Sequence, residues 1–316
     1  MAGLSGMKRV LVTGATGCVG RHALPSLVAR GWDVHAVASR QTPPDVAGVT
    51  WHRADLLDRD AAVALVDRAR ATHLLHLAWY IAPGKWAAAP ENFDWVSASL
   101  ALVRAFRAAG GTRAVTAGSC LEYDWNYGYC SEARTPCAPH TIYGTCKHAL
   151  QLLTTALSGD GAMSSAWGRI FFLYGPHEHP DRLVASVTRS LLAGEPARTS
   201  HGNQVRDYLY AGDVADAFAA LLESDVTGPI NIASGRAIRL RDIVERIGEL
   251  MGRPDLIRLG AIPAATTDVS LVVADATRLQ SALRWQPSVD LDAGLTKTID
   301  WWRAKAHAGI AVGGRQ

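Results

Sequence analysis

The sequence has too few cysteines, too little net charge and too little uninterrupted apolar chain for several whole classes of protein. Five cysteines in 316 residues (Cys18, Cys120, Cys130, Cys137, Cys146) make an odd count at spacings unlike a zinc site, and a disulfide framework does not suit a chain of this length. Net charge is +3, from 32 basic and 29 acidic residues, which argues against a nucleic-acid or membrane-surface partner. No apolar run reaches the roughly 20 residues of a membrane span, and Met1 to Val10 holds no apolar core of signal-peptide length. Repeats and low-complexity tracts are also missing. The expectation is a reduced, cytoplasmic globular protein. At 48% hydrophobic it can bury a sizeable core in one large domain or two lobes.

What is present begins with a strand, a glycine turn and a helix. Arg9 to Thr13 is short and mostly apolar, Gly14-Ala-Thr16-Gly17-Cys18-Val19-Gly20 follows at once, and helical spacing continues to Arg30. In that order the glycines form a dinucleotide fingerprint. Gly14 permits the tight turn, Gly17 lets the backbone approach a diphosphate, and Gly20 lets helix pack on strand. The diphosphate then sits at the helix N-terminus, where unpaired N–H groups favour an anion. The second strand, Asp33 to Ala38, ends in Ser39-Arg40 with no carboxylate. An acid there bonds the ribose hydroxyls of NAD, whereas arginine suits the 2′-phosphate of NADP. The cofactor expected is therefore NADP(H).

Val49 to His52 reads as a third strand leading to Asp55-Leu56, and Asp58 to Arg70 as an amphipathic helix. His73 to Ala78 reads as a buried fourth strand, with His73 and His76 on opposite faces, so no shared metal is expected. The loop Trp79 to Pro90 carries Lys85 and Trp86 and could reach a substrate. Glu91 to Ala109 is a long helix and Arg113 to Ala117 a fifth strand ending in Gly118-Ser119-Cys120. Ligands of open α/β sheets bind beyond the carboxyl ends of strands, and Ser119 stands at such an end. The following segment, with Tyr123, Trp125, Tyr127 and Tyr129, either packs a long loop or walls a substrate pocket.

Tyr143 to Lys147 reads as the first turns of a helix, where residues four apart share a face. A free phenol titrates near about 10 and needs a nearby positive charge to exchange protons close to neutrality. Beyond a sixth strand, Ser164 to Phe172, the pattern becomes mixed. Helices are expected over Asp181 to Ala193, Ala211 to Ser224, Leu240 to Met251, Thr277 to Leu283 and Leu291 to Lys305, with strands over Val205 to Tyr210 and Pro229 to Ile232. The organisation expected is a dinucleotide-binding domain over 1–172 and mainly a substrate lobe over 173–316, with some chain returning to the first.

Taken together, Thr13-Gly14-x2-Gly17-x2-Gly20, Asp55-Leu56, His76-Leu77-Ala78, Ser119 and Tyr143-x3-Lys147 resemble an extended short-chain dehydrogenase/reductase. Further matches are Tyr174-Gly-Pro176, Arg206-Asp-Tyr208 through Asp213, and Trp285-x-Pro287. The likeness is greatest to enzymes that reduce or epimerise nucleotide-activated sugars. It implies a Rossmann-type α/β fold with a parallel sheet and a smaller C-terminal substrate lobe. It assigns Tyr143 as general acid/base, Lys147 as the group that lowers its pKa and binds the nicotinamide ribose, and Ser119 as partner of the reacting oxygen. Asp55 and Leu56 then flank the adenine, Leu77 and Ala78 line the cofactor channel, and Arg206 holds a substrate phosphate. Lys85 and Tyr123 join the substrate residues, and a homodimer through the helices 91–109 and 143–158 is implied.

Within that resemblance, Cys120 and Leu121 stand where 4,6-dehydratases carry an Asp-Glu pair, which disfavours dehydration. Cys120 and His177 resemble the acid/base pair of GDP-fucose synthase, although Cys120 follows the serine one residue too early. Phe172 stands in place of a diphosphate-binding asparagine, and Ala264-Ala265-Thr266 in place of a second arginine. The reading adopted is an NADP(H)-dependent 4-keto reductase of a nucleotide-linked deoxysugar. The alternatives are an NAD-dependent nucleotide-sugar 4-epimerase, a reductase of a non-nucleotide carbonyl compound, and a non-catalytic NADP sensor.

Overall fold

A computed structural model describes residues 8–39, 43, 45–264 and 269–309. The first half runs β1 (Arg9–Thr13), α1 (Cys18–Ala29), β2 (Asp33–Ala38), β3 (Val49–Arg53), α2 (Arg59–Ala69), β4 (His73–His76), α3 (Glu91–Ala108), β5 (Arg113–Ser119), β6 (Tyr129–Cys130) and α4 (Ile142–Leu157). The second half runs β7 (Ser164–Ile170), β8 (Phe172–Tyr174), α5 (Leu183–Leu192), β9 (Ala197–Arg198), β10 (Val205–Tyr210), α6 (Ala211–Glu223), β11 (Gly228–Ile232), β12 (Ala237–Arg239), α7 (Leu240–Leu250), β13 (Ile257–Arg258), β14 (Leu271–Ala274), α8 (Thr277–Leu283) and α9 (Leu291–His307).

Seven strands form one parallel sheet in the order β11-β7-β5-β4-β1-β2-β3. Its inner strands are buried on both faces, as a parallel sheet covered by helices on both sides requires. In β1, Val10 and Val12 enter one core with Ala23, Leu24 and Leu27 of α1 and Val214, Phe218 and Leu221 of α6. The intervening Leu11 enters the opposite core with Leu65 of α2 and Leu102, Val103 and Phe106 of α3. Alternation along one strand thus joins two helix layers.

The sixth strand expected over Ser164 to Phe172 is divided. The large sheet stops at Ile170, and Phe172–Tyr174 pairs instead with β10 in the smaller sheet, whose remaining order is β12-β10-β14-β6. Chain from the second half also returns. β11 closes the edge of the large sheet beside β7, and α6 packs on α1, fixed by Arg30 to Asp216 and Glu223 at 2.7 and 2.6 Å. A cut at 172 would therefore remove a strand and a covering helix from the large-sheet unit. The smaller lobe has its own core, including Val184, Val187 and Leu191 of α5, Ile243 and Ile247 of α7, and Leu295 and Ile299 of α9. Among the described residues, no helix is long and apolar enough to cross a membrane.

Candidate active site

The glycine turn is shaped for a ligand that approaches backbone closely. Gly14 has φ +66°, and a Cβ there would lie 2.7 Å from the backbone of Leu77 and Ala78. At Gly20 a Cβ would lie 2.2 Å from the Gly14 carbonyl, so only glycine lets α1 start this near β1. Gly17 caps α1 with no side-chain bond to its free N–H groups, and the first turn carries no acidic residue. An uncapped helix N-terminus is an anion site. The donors present therefore fit the diphosphate of a nicotinamide dinucleotide, held by the N–H groups of Cys18, Val19 and Gly20.

The neighbouring positions are arranged around that turn. The Thr16 carbonyl accepts from Arg21 Nε, and the Cys18 thiol donates to the Pro176 carbonyl at 3.5 Å. Val19 and Leu77 pack on the core, and Ala78 N donates to Thr13 Oγ1. Ser39 is exposed at the end of β2, and beyond β3 Leu56 is buried while Asp55 is exposed and its Oδ1 accepts from Leu57 N. Arg40, on which the NADP reading leans, lies outside the described residues, as do Ala265 and Thr266. The two strand histidines are structural. His76 bonds Thr13 Oγ1 and Ser99 Oγ at 2.7 and 2.8 Å, and burial pushes it down to about 3, while His73 packs on Trp32.

At the carboxyl end of β5, Ser119 and Tyr143 come together, with the serine hydroxyl near enough to favour the ionised phenol. The approach depends on Gly144, where a Cβ would lie 2.3 Å from the Leu121 carbonyl. Thr141 caps α4 through Gly144 N, and Tyr143 N donates to the Ala87 carbonyl, so the tyrosine enters from a fixed first turn. Burial raises the phenol above its usual range, and the nearby Ser119 hydroxyl and the Arg182 charge work against that rise. Lys147 shares the face expected, but its Nζ donates to the Ala117 carbonyl at 2.8 Å and lies 3.8 Å over the Trp79 ring. It is 5.9 Å from the Tyr143 ring centroid, and burial brings it down to about 7.

Ser119 is held by a residue that the sequence reading overlooked. Glu122 is wholly buried; its Oε1 accepts from Ser119 N at 2.7 Å and Trp167 Nε1 at 2.8 Å, and its Oε2 from Arg169 Nε at 2.8 Å. Ser119 Oγ in turn accepts from Leu121 N at 3.2 Å, completing a capping box around the 3-10 turn Cys120–Glu122. The signal was legible, because Ser-x-x-Glu is a capping-box pattern.

Four candidates are placed otherwise than expected. Cys120 is 2% exposed in an apolar cluster with Cys130, Phe171, Val272 and Ala274, and burial pushes its thiol up; it is a packing residue. His177 has φ +69°, and its ring packs on Trp301 and His22 rather than on the Ser119–Tyr143 pair. Tyr123 is 1% exposed, donates to Asn231 Oδ1 at 2.8 Å and stacks on Arg169, so it belongs to the core and not to a substrate wall. Arg206 is buried between Trp125 and Phe172, and its guanidinium donates to the carbonyls of Val205 and Val269, so in this structure it ties down chain. Lys85 is exposed on its loop.

This geometry can be set beside known proteins. The model of the NAD dependent epimerase/dehydratase family matches residues 10–233. A UDP-glucose 4-epimerase of Rhizobium meliloti is 26% identical over 95% of this chain and 98% of its own length. A dTDP-glucose 4,6-dehydratase of Xanthomonas campestris is also 26% identical, over 53% of this chain and about half its own length (51%). Among solved structures, MoeE5 in complex with UDP-glucuronic acid and NAD is 31% identical, with a TM-score of 0.81 over 94% of this chain and 99% of that one. With dinucleotide turn, Ser119–Tyr143 pair and sheet order all in place, the chain belongs to the NAD-dependent epimerase/dehydratase family, nicotinamide-dependent enzymes of the extended short-chain dehydrogenase/reductase type.

Proposed function

We propose that the protein is an NADP(H)-dependent reductase of a 4-keto, nucleotide-linked deoxysugar. The observation that carries hydride chemistry is the juxtaposition of Ser119 and Tyr143 at the carboxyl end of β5, on the side of the sheet to which the glycine turn also opens. A bound nicotinamide supplies or accepts the hydride, and the chain's residues handle the oxygen's proton. Ser119, fixed by Glu122, orients the oxygen, and Tyr143 exchanges the proton with it. Lys147, tied to the Ala117 carbonyl and with its Nζ 5.9 Å from the Tyr143 ring centroid, is the residue this reading gives to the nicotinamide ribose. Ser39 stands where a carboxylate would select NAD, and this supports NADP. Arg206 enters this reading only by exchanging its backbone carbonyls for a substrate phosphate.

A second reading is favoured by a specific observation. The relatives matched along most of their length include a UDP-glucose 4-epimerase, and MoeE5 was solved with NAD, which supports an epimerase that keeps its cofactor. A homodimer through α3 and α4 is part of the proposal in either case, supported by the exposed Phe93, Leu152 and Leu153. The experiment is to release and weigh whatever nucleotide co-purifies, then follow oxidation of NADPH and NADH with 4-keto-6-deoxy sugars on UDP, dTDP, GDP and CDP. NADPH consumption supports reduction. Tightly retained NAD with no net consumption replaces it with epimerisation.

A further inference from the structure

One guanidinium stands where three walls of the cleft converge, and none of the three uses it. Arg182 immediately precedes α5, at the end of the loop that follows β8, and its side chain is exposed. Among the described residues it has no ion pair and no side-chain hydrogen bond. Its guanidinium carbon lies 6.0 Å from the Trp86 ring, and that ring meets Tyr143 edge-on at 4.9 Å between centroids, at 81°. Its charge reaches the Tyr143 phenol on α4, the Cys18 thiol in the first turn of α1 and the Glu178 carboxyl on its own loop. At each it works against the rise that burial causes. The guanidinium therefore stands over the gap between the Ser119–Tyr143 pair and the start of α1.

The carboxyl groups around it leave that charge unanswered. Asp181, beside it in the chain, directs Oδ2 to His179 Nδ1 at 3.7 Å. Glu178 is 5% exposed, its Oε1 has no partner among the described residues, and burial raises it to about 8, so near neutrality it holds a proton in place of a counter-charge. Other cations of the site are engaged elsewhere: Lys147 by the Ala117 carbonyl and the Trp79 face, Arg169 by Glu122, and Arg206 by the carbonyls of Val205 and Val269. A guanidinium is a planar fork that matches the oxygen pair of a phosphate or a carboxylate. Placed at a cleft with low-dielectric walls, such a cation also draws anions to it.

We infer that Arg182 is a specificity-determining residue that binds an oxyanion of the substrate, a phosphate or a carboxylate, at the Tyr143 end of the cleft. The inference rests on the nucleotide-sugar reading above and deepens it by naming the cation that the substrate's anion meets. A charge-assisted fork contributes about tenfold to a hundredfold in Kd. Because Arg182 is exposed, that contribution falls as salt rises.

The test is calorimetric titration of the full chain, first with NADP+ and then, loaded with NADP+, with nucleotides. Of UDP, dTDP, GDP and CDP, the diphosphate that most raises Tm is chosen. The bare diphosphate, its neutral hexose and its uronic acid are titrated into wild type, Arg182→Ala and Arg182→Lys. Arg182→Ala should weaken at least the uronic acid by about tenfold or more and flatten the salt dependence of its Kd. Arg182→Lys should restore only part of the loss, because an ammonium keeps the charge without the fork. Equal losses for all three ligands uphold the inference and assign the anion to the diphosphate. A loss confined to the uronic acid also upholds it, assigns the anion to a sugar carboxylate and replaces the deoxysugar of the reading above. A loss shared by both sugars but absent from the bare diphosphate overturns it, since the contact is then to a hydroxyl. So does a loss confined to NADP+, which gives the guanidinium to the cofactor. Changes below about threefold for every ligand in Arg182→Ala overturn the inference and leave the nucleotide-sugar reading intact. If the wild type binds no diphosphate and no sugar nucleotide, that reading fails and the inference fails with it.

Discussion

Replacing Glu122 by glutamine tests whether the Ser119 site is held from beneath by one buried charge. The carboxylate receives three donors, at 2.7, 2.8 and 2.8 Å, and its partner Arg169 is 2% exposed. A glutamine carbonyl can keep the bonds to Ser119 N and Trp167 Nε1. Its NH2 then faces the Arg169 guanidinium, donor against donor. The bonds from Arg169 to Cys137 and its stacking on Tyr123 survive, but its charge is left without a counter-ion. Removing one partner of a buried pair costs about 3–5 kcal/mol, a large share of the roughly 5–15 kcal/mol that keeps a domain folded. Removing both charges, with Arg169→Met beside Glu122→Gln, should recover much of the loss, because no ion then remains buried. Urea unfolding followed by tryptophan fluorescence gives the four corners of the cycle. A single-variant loss under about 1 kcal/mol, or a double variant no better than the sum of the singles, would refute the reasoning.

Three further outcomes are expected. Gly20→Ala, whose Cβ would meet the Gly14 carbonyl at 2.2 Å, should cost about 1–3 kcal/mol of stability and weaken dinucleotide binding at least tenfold; unchanged affinity by calorimetry would contradict the cradle. Tyr143→Phe should lower turnover by about a hundredfold or more and leave the Kd for dinucleotide near wild type, and retained turnover would remove the acid/base assignment. Glu178 is buried, and burial raises its carboxyl to about 8, against the pull of Arg182. Its folded form therefore holds a proton that the unfolded chain has released, so its contribution is whole below about 4.5 and is lost as pH rises through about 8. Glu178→Gln should flatten the fall of Tm between pH 5 and 9, and parallel profiles would exclude the carboxyl as its source.

The parts of the site that lie within one short stretch were legible in the sequence. Gly14 to Gly20 declares its turn because glycine is needed at fixed offsets between a strand and a helix, and Tyr143 and Lys147 share a face by helical period alone. What was not legible depends on contacts between distant stretches. Tyr123, Cys120 and Arg206 are buried by a small sheet whose β6 and β14 have two and four residues, too short to show a period. His177 is turned toward Trp301, some 120 residues away, by a left-handed residue that no local pattern announces. Lys147 was expected beside the phenol, and its amine is drawn instead to a carbonyl of β5 and the face of Trp79. Glu122 is the exception. Its capping pattern with Ser119 was in plain view, and only its depth of burial was hidden.

The return of β11 and α6 to the large sheet bears on how the chain is made. A nascent chain that has reached residue 172 has six of the seven strands but leaves β7 as a bare edge, open to pairing with another chain. The apolar face of α1, with Ala23, Leu24 and Leu27, has nothing over it until Val214, Phe218 and Leu221 emerge from the ribosome. Between those two moments the whole smaller-sheet excursion through β8, α5, β9 and β10 must be synthesised. The large sheet is therefore complete only at residue 232, still before α7 and α9 supply the core of the smaller lobe, and a chain arrested between 172 and 232 keeps an open sheet edge.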